Sequence, residues 1–411
     1  MTNFSQESNH YYLKCNLNKK YIMNNSKIKY SWILPVLMSF FVMSFVDLVG
    51  IGVDRVGADF KLSSSVAQLI PMVAFFWFFA LSVPVGILQD RIGKRKMLNI
   101  GMVITAVGLL IPFVIYSFPS VLLGFAFLGI GNTIVQVSAN PLLVDSVPGE
   151  RRSSALSFSQ FIKAVGSMVG APLAGLFAAR FGDWKILFLV FGVISLLSVL
   201  WLAMTPIAES KSADKPASLK TAFSLLGNRY VLFMVLSIFL VVGVDVGFNS
   251  FSGQFFMKKL GLEQTIAESV RSIYFFGRML GTFAGAILLS KLSSKKFLIW
   301  TSLLSIVVVL AISFSSSQAM ALTGTFLFGL TVANIFPLVF SITVGKYSDR
   351  ANEISGLMMM AVSGGALIPL IMGLVSDASS VSWGMMVLAF CMVLILLAAI
   401  FASKQKETSD N

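Results

Sequence analysis

Two aspartates stand where a charge is costly to keep. Asp47 falls within Ser44-Phe45-Val46-Asp47-Leu48-Val49-Gly50-Ile51-Gly52, inside the apolar run that begins at Trp32. Asp245 falls within Val242-Gly243-Val244-Asp245-Val246-Gly247-Phe248-Asn249, 198 positions later. Insertion scales put at least about 2.5 kcal/mol on an acid at the centre of an apolar helix, so such a group marks an ion or substrate path. The chemistry open to it is the binding and release of a proton, with Na⁺ as the alternative. The single histidine, His10, lies in the polar first segment, so a proton inside the apolar runs must ride on a carboxylate. Asp47 and Asp245 are therefore the candidate coupling sites, one in each copy of what reads as a duplicated unit.

Cations and amides share the same runs. Lys163, in Ser159-Gln160-Phe161-Ile162-Lys163-Ala164-Val165-Gly166, has two readings. It either holds an anionic group of a substrate or pairs with Asp47, so that each neutralises the other. Arg271 is a second candidate cation, with snorkelling from a helix end to the headgroups as its alternative. Gln136 and Asn140, four apart, share a helix face with Asn132, and amides suit hydroxyl or acetamide groups. Asn249 and Asn334 are their counterparts in the second copy. The expected substrate-binding set is Gln136, Asn140, Gln160, Lys163, Asn249 and Arg271. None of these groupings has the spacing of a metal site or a catalytic set, so neither metal nor enzymatic activity is expected.

Composition says what kind of element must position these residues. The 411 residues are 56% hydrophobic and 12% charged, with a mean hydropathy of +0.86. Soluble domains carry about twice that charge fraction, so a soluble enzyme is excluded. The net charge of +13 comes from basic residues at the ends of apolar runs, which fits loops beside a lipid bilayer and not nucleic acid. Cys15 and Cys391 are too few and too far apart for a disulfide or metal framework. The sequence holds no G-x-x-x-x-G-K-[ST] loop, so no nucleotide cofactor is expected and an ion gradient or the substrate's own gradient must supply the energy.

The hydropathy pattern predicts helical spans at about 32–53, 66–88, 98–116, 121–144, 153–179 and 186–204, each near the ~20 residues that cross a bilayer. A polar segment, 205–229, contains Lys211, Asp214, Lys215, Pro216 and Lys220. Six more spans follow at about 230–256, 267–289, 297–315, 319–344, 354–375 and 382–402. The predicted organisation is a tail 1–31, a six-helix half 32–204, a linker 205–229, a six-helix half 230–402 and a tail 403–411. Of the 31 Lys and Arg, 22 fall on the side that holds both tails and 6 on the other; Lys163, Arg271 and Arg278 lie within spans. That excess predicts cytoplasmic termini.

The loop after the second span reads Gly86-Ile87-Leu88-Gln89-Asp90-Arg91-Ile92-Gly93-Lys94-Arg95-Lys96. It resembles the G-x-L-x-D-R-x-G-R-K signature that the major facilitator superfamily carries between its second and third helices. Gly86 is expected to permit close helix approach, Gly93 a tight turn, and Asp90 charge-assisted bonds to arginine. A degraded copy, Ala286 to Lys296, lies 200 positions later. The resemblance implies an all-α membrane fold of twelve transmembrane helices in two halves around a central cavity. The motif residues Gly86, Asp90, Arg91, Gly93, Lys94 and Arg95 would form a conformational gate.

Within that superfamily the chain resembles the fucose:proton symporter family of sugar transporters. The matching stretches are Ala139-Asn140-Pro141, Gln160 with Gly166, Phe275-Phe276-Gly277-Arg278 with Gly281, and Ser363-Gly364-Gly365-Ala366 with Pro369 and Gly373 to Ala378. The resemblance implies a working aspartate at the position of Gly50 and a glutamate at that of Gln136. Neither acid is present. Asp47 lies one turn before Gly50 and could serve from there. Asp245 falls where the resemblance implies a sugar-contacting glutamine.

These readings converge on a secondary active importer of a bacterial inner membrane, expected to be monomeric. Its substrate would be a monosaccharide or a sugar acid such as a sialic acid or a hexuronate, moved with a proton by alternating access. The alternatives are a neutral hexose symporter, a Na⁺-coupled sugar symporter and, ranked below them, a multidrug exporter.

Overall fold

The computed structural model describes residues 30–147, 152–207, 223–289, 292–347 and 350–404. His10, Cys15 and the linker residues Lys211, Asp214, Lys215, Pro216 and Lys220 lie outside them, as does the Asp90 side chain. Every regular element among the described residues is helical.

Helix α1 comprises Tyr30–Met43, a 3-10 turn Ser44–Leu48 and Val49–Asp59. A one-turn helix Ser64–Ala67 leads into α2, Leu69–Ile92. Then come α3, Lys94–Val114; α4, Phe118–Ser146; α5, Arg152–Phe181; and α6, Ile186–Met204. The second six begin with α7, Arg229–Leu260; α8, Gln264–Leu288; and α9, Ser294–Phe314. Helix α10 is split into Gln318–Val332 and Ile335–Lys346. Helix α11 joins Ala351–Met360 to Gly364–Ala378 through a 3-10 turn, and α12 is Val381–Lys404. Ends are set by local chemistry. Ser117 and Ser120 form a capping box at the start of α4, the Asn228 side chain caps α7, and Gly261 ends α7 in the left-handed region at φ 65°. Gly93 makes the α2–α3 turn at φ 97°, the tight turn its place in the motif predicts.

Eleven described segments are long and apolar enough to cross a membrane. The twelfth, α8, has 25 residues but carries Glu268, Arg271 and Arg278, which lower its hydropathy. Those charges point inward, where other helices meet them, so α8 needs no apolar stretch of its own there. The chain is a multi-pass helical membrane protein.

Two hydrophobic cores organise the bundle. One gathers residues of α1 to α6 around Phe40, Phe45, Phe125 and Phe188; the other gathers α7 to α12 around Phe248, Phe251, Tyr274 and Phe328. Between the two sets, α5 packs on α8, α2 on α11 and α1 on α7. The predicted boundaries need two corrections. Helix α1 runs to Asp59 and not to Val53, because Asp54 and Arg55 look like loop residues but are buried by partners on α8. Helix α7 likewise keeps Lys258 and Lys259 within its last turn, where basic side chains suit the exposed carbonyls.

Candidate functional site

The 3-10 turn inside α1 shapes the site. Tightening the chain at Ser44–Leu48 frees the Met43 carbonyl, and the Asn132 side chain of α4 donates to it at 2.6 Å. Asn132 is therefore a buried support of α1. The same turn presents Asp47 to α5. The Ser167 hydroxyl donates to Asp47 Oδ2 at 2.5 Å, and the Asp47 backbone carbonyl accepts from Asn249 Nδ2 of α7 at 3.0 Å. Lys163 lies one turn before Ser167, close enough to act on Asp47 through its charge but not in ion-pair contact with it. The direct Asp47–Lys163 pair expected as one reading is not formed.

Two turns further along α1, α8 reaches across. Arg271 Nη2 donates to Asp54 Oδ2 at 2.5 Å, with both residues 2% exposed. Arg271 Nε donates to the Asn249 carbonyl at 2.6 Å. Two glycines make room. A Cβ on Gly50 would stand 2.5 Å from Arg271 Nε, and one on Gly253 would stand 1.7 Å from Asp54 Oδ2. Next to this pair, Arg55 Nη2 donates to Glu268 Oε2 at 2.7 Å. Arg271 thus does not snorkel to headgroups from a helix end; a buried carboxylate holds it inside the bundle.

The third pair lies within the second six helices. Arg278 Nη1 donates to both oxygens of Asp245, at 2.6 and 2.5 Å, and the Tyr274 hydroxyl donates to Oδ1 at 2.7 Å. Asp245 is about a quarter exposed, so this cluster faces the space between the helices.

Four acids and four bases therefore occupy the interior of the bundle. Three acids are held by guanidinium groups: Asp54 by Arg271, Glu268 by Arg55 and Asp245 by Arg278. Asp47 and Lys163 are left without an ion-pair contact among the described residues. A small cleft lies against Asp47, with Ser44, Ser167, Asn249 and Arg271 also in its wall.

The structure thus gathers Asp47, Asn249 and Arg271 around one cleft, with Lys163 close behind. It places the other expected residues elsewhere. Gln136 Nε2 approaches the Met43 sulfur at 3.9 Å, and Asn140 Nδ2 donates back to the Gln136 carbonyl at 3.2 Å. Gln160 is exposed, one turn before Lys163. In the loop motif a Cβ on Gly86 would meet nothing within 4 Å among the described residues, so the close approach expected of it is not seen there. Arg91 is exposed, Lys94 is buried, and Arg95 donates to the Thr205 carbonyl at the end of α6.

Sequence reasoning missed Asp54, Arg55, Glu268 and Ser167. A signal for three of them existed: an adjacent acid and base at the end of one run, and an acid three residues before a base in another. That pattern suits two crossed pairs between neighbouring helices.

The end of the bundle nearest these pairs carries further ties between the two sets of helices. The backbone amides of Ser64 and Ser65 donate to the two oxygens of Asp377 at 3.0 and 2.7 Å. Lys258 Nζ donates to the Ser64 hydroxyl at 2.8 Å. Tyr116, in the α3–α4 turn, donates to Asp59 at 2.5 Å; burial, and then the Asp59 carboxylate, push its phenol above the ordinary range.

The model of the Major Facilitator Superfamily matches residues 36–270 and 234–411. A glucose/galactose transporter of Brucella abortus is 27% identical over 404 residues, covering 92% of this chain and 96% of its own. The fosmidomycin resistance protein of Escherichia coli is 24% identical over 371 residues, covering 89% of this chain and 86% of its own. The crystal structure of the Escherichia coli fucose:proton symporter superposes with a TM-score of 0.67 at 20% identity, over 91% of this chain and 100% of that one, a likeness of fold.

Proposed function

We propose that this chain, which belongs to the Major Facilitator Superfamily, is a secondary active transporter that carries a neutral monosaccharide together with a proton. The observation that carries the coupling reading is the isolation of Asp47. It is the one acid of the interior four that can change its charge without breaking an ion pair. Its partner suits that task, because the Ser167 hydroxyl donates to a carboxylate and can accept from a carboxylic acid. Lys163 nearby balances Asp47 when it is charged. Asp245, by contrast, is fixed by Arg278 and Tyr274 and acts as scaffold.

The sugar reading draws on the cleft and on the relatives. Hydroxyl, amide and guanidinium groups line the cleft, and these suit the hydroxyls of a sugar. The Brucella abortus relative is named for glucose and galactose, which are neutral. A sugar acid is the less favoured substrate here, since Asp54 already holds the charge of Arg271.

Transport would rock residues 32–204 against 230–402 about the cleft. The crossed pairs close the end at which α1 finishes. The excess of Lys and Arg at the opposite end supports a closed end outside and both termini in the cytoplasm of a bacterial cell, across its inner membrane. The Gly86–Arg95 motif would act at the cytoplasmic end. Membrane vesicles test this reading. Labelled glucose or galactose should accumulate when an inward proton gradient is imposed and should not without one. Accumulation only under a Na⁺ gradient, or drug efflux with no sugar uptake, would overturn it.

A further inference from the structure

Arg271 and Asn249 each keep one buried group without a partner. Arg271 uses Nη2 on Asp54 and Nε on the Asn249 carbonyl, which leaves Nη1 unpartnered. Asn249 uses Nδ2 on the Asp47 carbonyl, which leaves Oδ1 unpartnered. Each residue is 2% exposed, and both stand in the cleft wall above the bare Cα of Gly50. A buried donor or acceptor left unpaired is costly, so an unpaired donor and an unpaired acceptor on two residues that wall one cleft mark it as a place for a polar ligand. A hydroxyl is the group that accepts and donates at once.

Charge narrows the ligand further. A free guanidinium would favour a carboxylate, but Asp54 has already neutralised this one. Asp54 Oδ1 is itself buried without a partner, and Asn249 Oδ1 is a second acceptor. An incoming carboxylate would meet acceptor oxygens where it needs donors.

We infer that Asp54 sets the specificity of the cleft. By holding Arg271, it makes Arg271 Nη1 and Asn249 Oδ1 a subsite for one hydroxyl of a neutral sugar and turns acidic sugars away. The inference rests on the sugar-transport reading and deepens it. Asp54 is a positioning residue here, acting through Arg271 and not on the substrate.

Binding of labelled galactose to purified protein, with unlabelled galactose and galacturonate as competitors, tests it. In the wild type galactose should displace the label at least about tenfold better than galacturonate, the size of one hydrogen bond to a charged group. Asp54→Asn frees the Arg271 charge, so galacturonate should gain at least about tenfold relative to galactose. Adding Arg271→Gln to Asp54→Asn should abolish that gain. Equal competition in the wild type, or a parallel loss of both sugars in Asp54→Asn, would overturn the inference. Should Asp54→Asn fail to fold, Asn249→Leu removes the acceptor, together with the Nδ2 bond to the Asp47 carbonyl, and must weaken galactose binding by at least about tenfold; unchanged binding overturns the subsite. A wild type that binds neither sugar would overturn the transport reading as well, and that result needs no variant.

Discussion

Arg271 of α8 fills the space directly above Gly50 of α1, where a Cβ would stand 2.5 Å from its Nε. The resemblance to the fucose:proton symporter family implies an acid at this position. Here the acid stands one turn on, as Asp54, and a base from the other half of the bundle takes the vacated room. The acid–base contact now ties two helices that must part when this end opens.

Gly50→Ala should therefore displace Arg271 and Asn249 together. Overpacking of this kind costs about 1–3 kcal/mol, seen as a lower unfolding temperature in detergent. Sugar affinity should fall with it, while the same change at Gly86, where a Cβ would meet nothing within 4 Å among the described residues, should leave both unaltered.

The Arg55–Glu268 pair should behave as a reversible clasp. Arg55→Glu alone places two acids together and should hold that end open, slowing sugar exchange by at least about tenfold; breaking a buried pair costs about 3–5 kcal/mol. The double exchange, Arg55→Glu with Glu268→Arg, should restore much of the rate. A double variant as slow as the single one would assign the pair a static role.

Asp245→Asn should weaken the second half without uncoupling transport. Thermal unfolding should begin earlier, because Arg278 loses the carboxylate that holds it. Sugar-driven proton movement should persist in the variant. Its disappearance, with sugar exchange intact, would return Asp245 to the coupling site.

How much of this was legible in the sequence depends on what each residue's signal was. Asp47 and Asp245 stood out because nothing apolar explains an acid in a long apolar run. The split of α10 had a local signal too, since Pro337 marks a kink in a spanning helix and the break falls just before it, between Val332 and Ile335. Asp54 and Arg55 read as loop because adjacent charges usually mark water, and only their partners 217 and 213 positions away make them interior. Pairing between helices distant in sequence leaves no local trace. The contrast between an isolated Asp47 and a clamped Asp245 could not be read from two similar-looking motifs.

The most direct test of Asp47 as the proton carrier uses de-energised vesicles with a pH electrode outside. Adding galactose or glucose to wild-type vesicles should make the medium alkaline as protons enter with sugar. Vesicles carrying Asp47→Asn should give no alkaline shift yet still exchange labelled for unlabelled sugar, because the amide can pair with Ser167 but cannot cycle a proton. An alkaline shift that persists in Asp47→Asn would contradict the assignment.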